Sequence, residues 1–155
     1  MDDEQYRQTR AAIPQPRCCY EKAIQYGYFQ CQWHQRIALG ERESLHCTRQ
    51  SAFEICDEFH SLTLKHSGFA LGTARMPVHL SFNQAMKVQI GGLRGVIEQA
   101  GKTIVEPEIQ LNAQLQDVAE ELEQLKARIG GAFENMDFSE IMPHISSFSL
   151  RKRRK

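Results

Sequence analysis

After Cys56 the chain contains no cysteine, although five are crowded into the stretch from Cys18 to Cys56. It also lacks any run approaching the roughly 18 apolar residues that cross a bilayer, which excludes a transmembrane segment but not contact with a membrane surface. The first residues, Met1-Asp2-Asp3-Glu4, offer neither the basic start nor the apolar stretch of a secretory signal, so a cytoplasmic protein is expected. No phosphate-binding loop is present. Gly91-Gly92-x-x-Gly95 falls inside a helical pattern, without the strand and lysine that such a loop requires. Cys56 with His60, and His46 with Cys47, sit in no recognisable nucleophile motif, so the sequence favours a non-enzymatic role.

Net charge is absent too, with 19 Lys and Arg against 19 Asp and Glu, but the balance is uneven along the chain. The last five residues, Arg151-Lys152-Arg153-Arg154-Lys155, are all basic, and residues 76–150 are acidic. Such a tail can meet nucleic acid, an anionic surface or an acidic partner, or simply remain solvated. Apolar residues at 41% and a length of 155 residues suit an ordinary compact domain.

What is present lies mostly toward the N-terminal side. Residues 1–16 read as a flexible leader ending in Ile13-Pro14-Gln15-Pro16. Residues 17–75 hold all the cysteines and eight of the 13 aromatic residues, and form a cysteine-rich module. Two helices are expected there, over 18–37 and 44–66, with a turn at Leu39-Gly40-Glu41 and Ser44 capping the second. Gly68 and Gly72 mark its exit, and Met76-Pro77 separates it from a helical hairpin over 76–130.

In that hairpin, Ser81-Phe82-Asn83-Gln84 has the form of a capping box. Met86, Ile90, Leu93, Ile97 and Ala100 then fall on one helical stripe, and Gly91, Gly92 and Gly95 leave a smooth face for another backbone. Pro107 opens a further helix, along which Leu111, Leu115, Val118, Leu122, Leu125 and Ile129 form a short heptad seam. That seam serves either an intramolecular hairpin or a homodimer through 111–129. Residues 131–155 read as an irregular segment and the basic tail. The fold class expected is mostly α.

An odd number of cysteines without a secretory signal argues against a disulfide framework. One reading places Cys18, Cys31, Cys47 and Cys56 around an iron-sulfur cluster of the 4Fe-4S type, with Cys19 as a substitute for Cys18. The spacing is unlike that of compact ferredoxins. It also carries a geometric condition. At 100° per residue, Cys47 and Cys56 would face opposite ways on one helix, so the helix must break between them, with Ser51 capping the part that carries Cys56.

A second reading is a zinc site from Cys31-x2-His34 and Cys56-x3-His60, both at helical same-face spacing. A third leaves the cysteines unligated, as small apolar core residues. The function expected from the first is electron transfer or redox sensing with a redox partner. The alternative is an interaction or regulatory protein, with a structural zinc or no metal, that docks a protein partner through its heptad helix and tail.

Overall fold

A computed structural model describes residues 1–73, 79–107 and 114–150. The chain is mostly α, with seven α-helices and one two-stranded sheet among the described residues. The Met76-Pro77 separator, Leu111 and the basic tail 151–155 lie outside them.

The leader carries a helix. Asp2 accepts from the Gln5 amide and Gln5 reaches back to the Asp2 amide, a capping box that starts helix α1, Asp3–Ala11. Tyr6 turns inward from it, donates to the Glu43 carbonyl at 3.3 Å, and lies between the guanidinium groups of Arg10 and Arg42. The proline-stiffened end then runs as an extra lane beside the sheet. The Cys47 amide donates to the Pro16 carbonyl and the Cys18 amide to the Leu45 carbonyl, both at 2.8 Å.

A helix over 18–37 does not form. Only α2, Glu21–Gln25, is helical, and Gly27 ends it with φ 77°. The chain next pairs beside Asp117: the Gln30 amide donates to the Gln116 carbonyl at 3.0 Å and the Val118 amide to the Gln30 carbonyl at 2.8 Å. Strands β1, His34–Leu39, and β2, Arg42–Cys47, follow as an antiparallel hairpin. The expected turn at Gly40-Glu41 is real, but it joins strands rather than helices. Gly40 has φ 65° and, among the described residues, no non-glycine residue has positive φ, the signature of a type II′ connection.

Ser44 is accordingly a strand residue, fully buried and bonded to His46, and caps nothing. Helix α3 runs Gln50–His66, so the break demanded between Cys47 and Cys56 is a strand-to-helix junction. Its N-cap is Arg49, with no side-chain cap; Ser51 lies inside the helix and accepts from the Arg49 guanidinium.

The Ser81 capping box is formed as expected and opens α4, Phe82–Met86. The helix widens into a π-helical turn over Lys87–Gly91 and continues as α5, Gly92–Gln99. Met86, Ile90, Leu93 and Ile97 are buried along it. The glycine face also does what was expected. A Cβ at Gly91 would lie 2.6 Å from the His144 carbonyl oxygen, and one at Gly95 would lie 2.6 Å from the Ile141 Cβ.

Helix α6 is shorter than the heptad pattern predicts. It spans Val118–Arg128 with Asp117 as N-cap, and Leu115 precedes it. Val118, Leu122 and Leu125 are buried in the chain's own core. The segment expected to be irregular carries two 3-10 turns, Phe133–Asn135 and Phe138–Glu140, and helix α7, Met142–Ser147. Lys87 closes the end of α7 by donating to the Ser146 and Phe148 carbonyls at 2.9 and 2.8 Å. One hydrophobic cluster links Tyr20, Phe59, Ile90, Leu122 and Ile145.

Candidate metal centre

All five cysteines line one cavity of about 20 Å³, together with His34. They arrive from separate parts of the fold: Cys18 and Cys19 between the extra lane and α2, Cys31 beside the start of α6, Cys47 at the end of β2, and Cys56 on α3. Ile24, Ala52, Phe53, Val118 and Ala119 supply the rest of the wall. No disulfide joins the thiols, and each is half-buried.

Several buried polar contacts fix these positions. The Glu21 carboxylate accepts from the Leu45 amide at 3.1 Å and pairs with Arg17 at 3.2 Å, fastening α2 to β2. The buried Gln89, in the π-helical turn, accepts from the Lys22 and Ala23 amides at 2.9 and 3.2 Å. It therefore satisfies the start of α2 from a remote helix. Asp117 accepts from the Gln32 amide at 2.7 Å with one oxygen and from the Glu120 amide at 3.0 Å with the other. A single carboxylate thus caps α6 and holds the turn that follows Cys31.

The thiols differ in their immediate surroundings. The Tyr20 amide points at the Cys18 sulfur, and the amides of Trp33 and Ala119 point at that of Cys31. Cys19 contacts the Asp57 carboxylate at 3.8 Å, and Cys47 donates to the Arg49 carbonyl at 3.3 Å. Burial pushes Cys18 and Cys19 up to about 12 from the ordinary 9.0, with the neighbouring thiols adding to Cys18 and Asp57 adding to Cys19. Burial likewise raises Cys31 and Cys56, and the other cysteines around Cys56 raise it further. In the metal-free chain these four thiols keep their protons at neutral pH. A cation among them would reverse the balance, because thiolates are the ligating form.

The histidines separate clearly. His34 lies on the cavity wall and its Nδ1 is 2.5 Å from the Cys31 carbonyl oxygen. A carbonyl only accepts, so Nδ1 carries the hydrogen and, in the neutral ring, Nε2 keeps its lone pair. His60 is not on the wall; it meets the Tyr20 ring edge-on at 5.5 Å, and burial lowers its pKa. The set Cys31, His34, Cys56 and His60 is therefore not brought together as a unit. His46, 1% exposed, donates from Nδ1 to the Gln15 carbonyl at 2.8 Å and is bonded to Ser44 at 2.8 Å, a structural role.

Among the described residues no group of three or more His, Cys, Asp or Glu is drawn together tightly enough to hold one metal ion. The thiols ring a shared space at a looser spacing. Residues that the sequence reading passed over, Glu21, Gln89 and Asp117, form the frame around it. Of these only Asp117 carried a local signal, the N-cap pattern Asp117-x-x-Glu120. No helix of the described residues is long and apolar enough to cross a membrane. No protein-family model matches this chain, and no curated protein or solved structure matches it either.

Proposed function

We propose that the chain is a small iron-sulfur protein for electron transfer or redox sensing, with Cys18, Cys31, Cys47 and Cys56 as ligands and Cys19 in reserve. The observation that carries this reading is the convergence of every cysteine on one cavity from strand, helix and loop positions spread over 39 residues of sequence. Buried structural cysteines have no reason to gather in this way. Amides aimed at the Cys18 and Cys31 sulfurs would stabilise thiolate charge there.

When bound, the cluster would supply a one-electron couple. The chain's own contribution is to hold four thiolates, exclude water with Ile24, Phe53 and Val118, and leave Cys47 toward the rim. The cavity as it stands has room for about one water, so the thiols must turn outward to admit a cluster.

His34 favours a second reading, mixed thiolate and imidazole ligation of zinc in a protein-docking role, because its lone-pair nitrogen belongs to a ring on the cavity wall. Anaerobic purification separates the two. Brown protein with iron and acid-labile sulfide, whose visible absorbance bleaches on reduction, supports the cluster. Colourless protein with equimolar zinc refutes it.

A further inference from the structure

Resting on the metal-thiolate reading, we infer that Tyr20 is a positioning residue of the centre, its buried phenol donating a hydrogen bond to a sulfur of the loaded site. Three observations lead there. Tyr20 follows Cys18 and Cys19 directly, and its own amide is already aimed at the Cys18 sulfur. Its side chain is only 1% exposed, yet no described residue accepts a hydrogen bond from its hydroxyl. Cys18, Cys19 and Cys56, all three on the cavity wall, pack against the hydrophobic cluster that holds Tyr20, near enough for their sulfurs to act on its hydroxyl.

An unused buried hydroxyl is unfavourable, because it has left water without gaining a partner. Here the uncharged thiols are poor acceptors, whereas thiolates or bridging sulfides are strong ones. The His60 ring packs edge-on against Tyr20 at 5.5 Å and braces its plane, and a phenol at neutral pH is a hydrogen-bond donor. The hydroxyl is therefore placed to be satisfied only when the site carries negative sulfur. A hydrogen bond to sulfur also favours the reduced, more negative centre, so Tyr20 would raise the reduction potential.

Tyr20→Phe removes only the oxygen. In the metal-free protein the urea midpoint should stay level or rise, because no hydrogen bond is lost. Cadmium affinity of that protein, read from thiolate-to-cadmium ultraviolet absorbance, should weaken on the order of tenfold. After reconstitution with iron and sulfide, the potential should become more negative. Site-specific 3-fluorotyrosine at position 20, a stronger donor, should move it the other way, and serves if the phenylalanine variant does not fold.

Wild-type cadmium affinity together with an unshifted potential in both variants would overturn the assignment, while leaving the site itself intact. A fall in the metal-free urea midpoint would overturn it too, since the hydroxyl would then already have a protein partner. If the unaltered chain takes up neither cadmium nor iron, the centre fails and the role of Tyr20 fails with it.

Discussion

Cys18 and Cys19 are neighbours in sequence but not in circumstance. Cys18 has a peptide amide directed at its sulfur, whereas Cys19 faces the Asp57 carboxylate, which would repel a thiolate. Cys31, with two amides at its sulfur, is the best prepared of all. Cys31→Ala should therefore abolish iron and sulfide uptake, while Cys19→Ala retains most of it. Equal loss in both variants would show that the Asp57 contact does not exclude Cys19 from the ligand set.

The same thiols set a pH dependence for the metal-free chain. Cys18 and Cys19 sit near 12 when folded against an ordinary 9.0, so the folded state holds their protons more tightly than the unfolded state does. Their contribution to stability is complete below pH 9 and is lost as pH rises toward 12. The urea midpoint should fall across that window, and the fall should be shallower in a Cys18→Ala/Cys19→Ala variant. A midpoint that stays flat would mean that these thiols are not buried as described.

At this scale the cysteines themselves were legible, because their crowding between positions 18 and 56 is a compositional fact. His60 was not. Four positions from Cys56, it shares a helical face by the spacing rule, but the cavity lies to one side of that face and Tyr20 occupies the other.

Among the elements, those announced by local chemistry were readable and those built by tertiary contacts were not. The Ser81 capping box and the glycine face of α4 and α5 could be read because each depends on a few adjacent residues. The β-hairpin could not, since β1 is exposed at three of its six positions and shows no strict alternation. Helix α2 could not either, because Gln89, 67 positions from Lys22, completes its start. For α6 the heptad spacing outweighed the stronger signal. Asp117, with extended backbone at φ -87° and ψ 122°, stops the pattern from running back to Leu115.

Two substitutions test these joints. Gln89→Ala leaves two α2 amides without an acceptor, one of them buried, at a cost of about 1–3 kcal/mol by urea denaturation. It should also slow metal loading, because Cys18 and Cys19 lead directly into α2. Gly95→Ala forces a methyl against Ile141, where the gap is 2.6 Å, and should destabilise by about 1–3 kcal/mol. A neutral result at Gly95 would mean that α7 packs less closely than described.

For the molecule as a whole, the cysteine site and the terminal helix belong to one hydrophobic cluster. Phe59 makes the link visible: it lies on the helix that carries Cys56 and packs against Phe133 at 5.3 Å and Phe138 at 5.9 Å. Phe133, Ile141 and Ile145 are each fully buried. Burial of three such side chains contributes about 1.5–3 kcal/mol apiece, comparable in sum with the whole net stability of a domain, about 5–15 kcal/mol. A chain ending at Gly131 would lose all three and bare the glycine face that α7 covers. It should show no cooperative thermal transition, and its thiols should react rapidly with a maleimide at neutral pH. A chain lacking only residues 151–155 should unfold at the temperature of the full chain and keep its thiols equally protected. If the chain ending at Gly131 instead melts cooperatively with shielded thiols, the cysteine module stands without the terminal helix, and the two parts are coupled less tightly than their shared core implies.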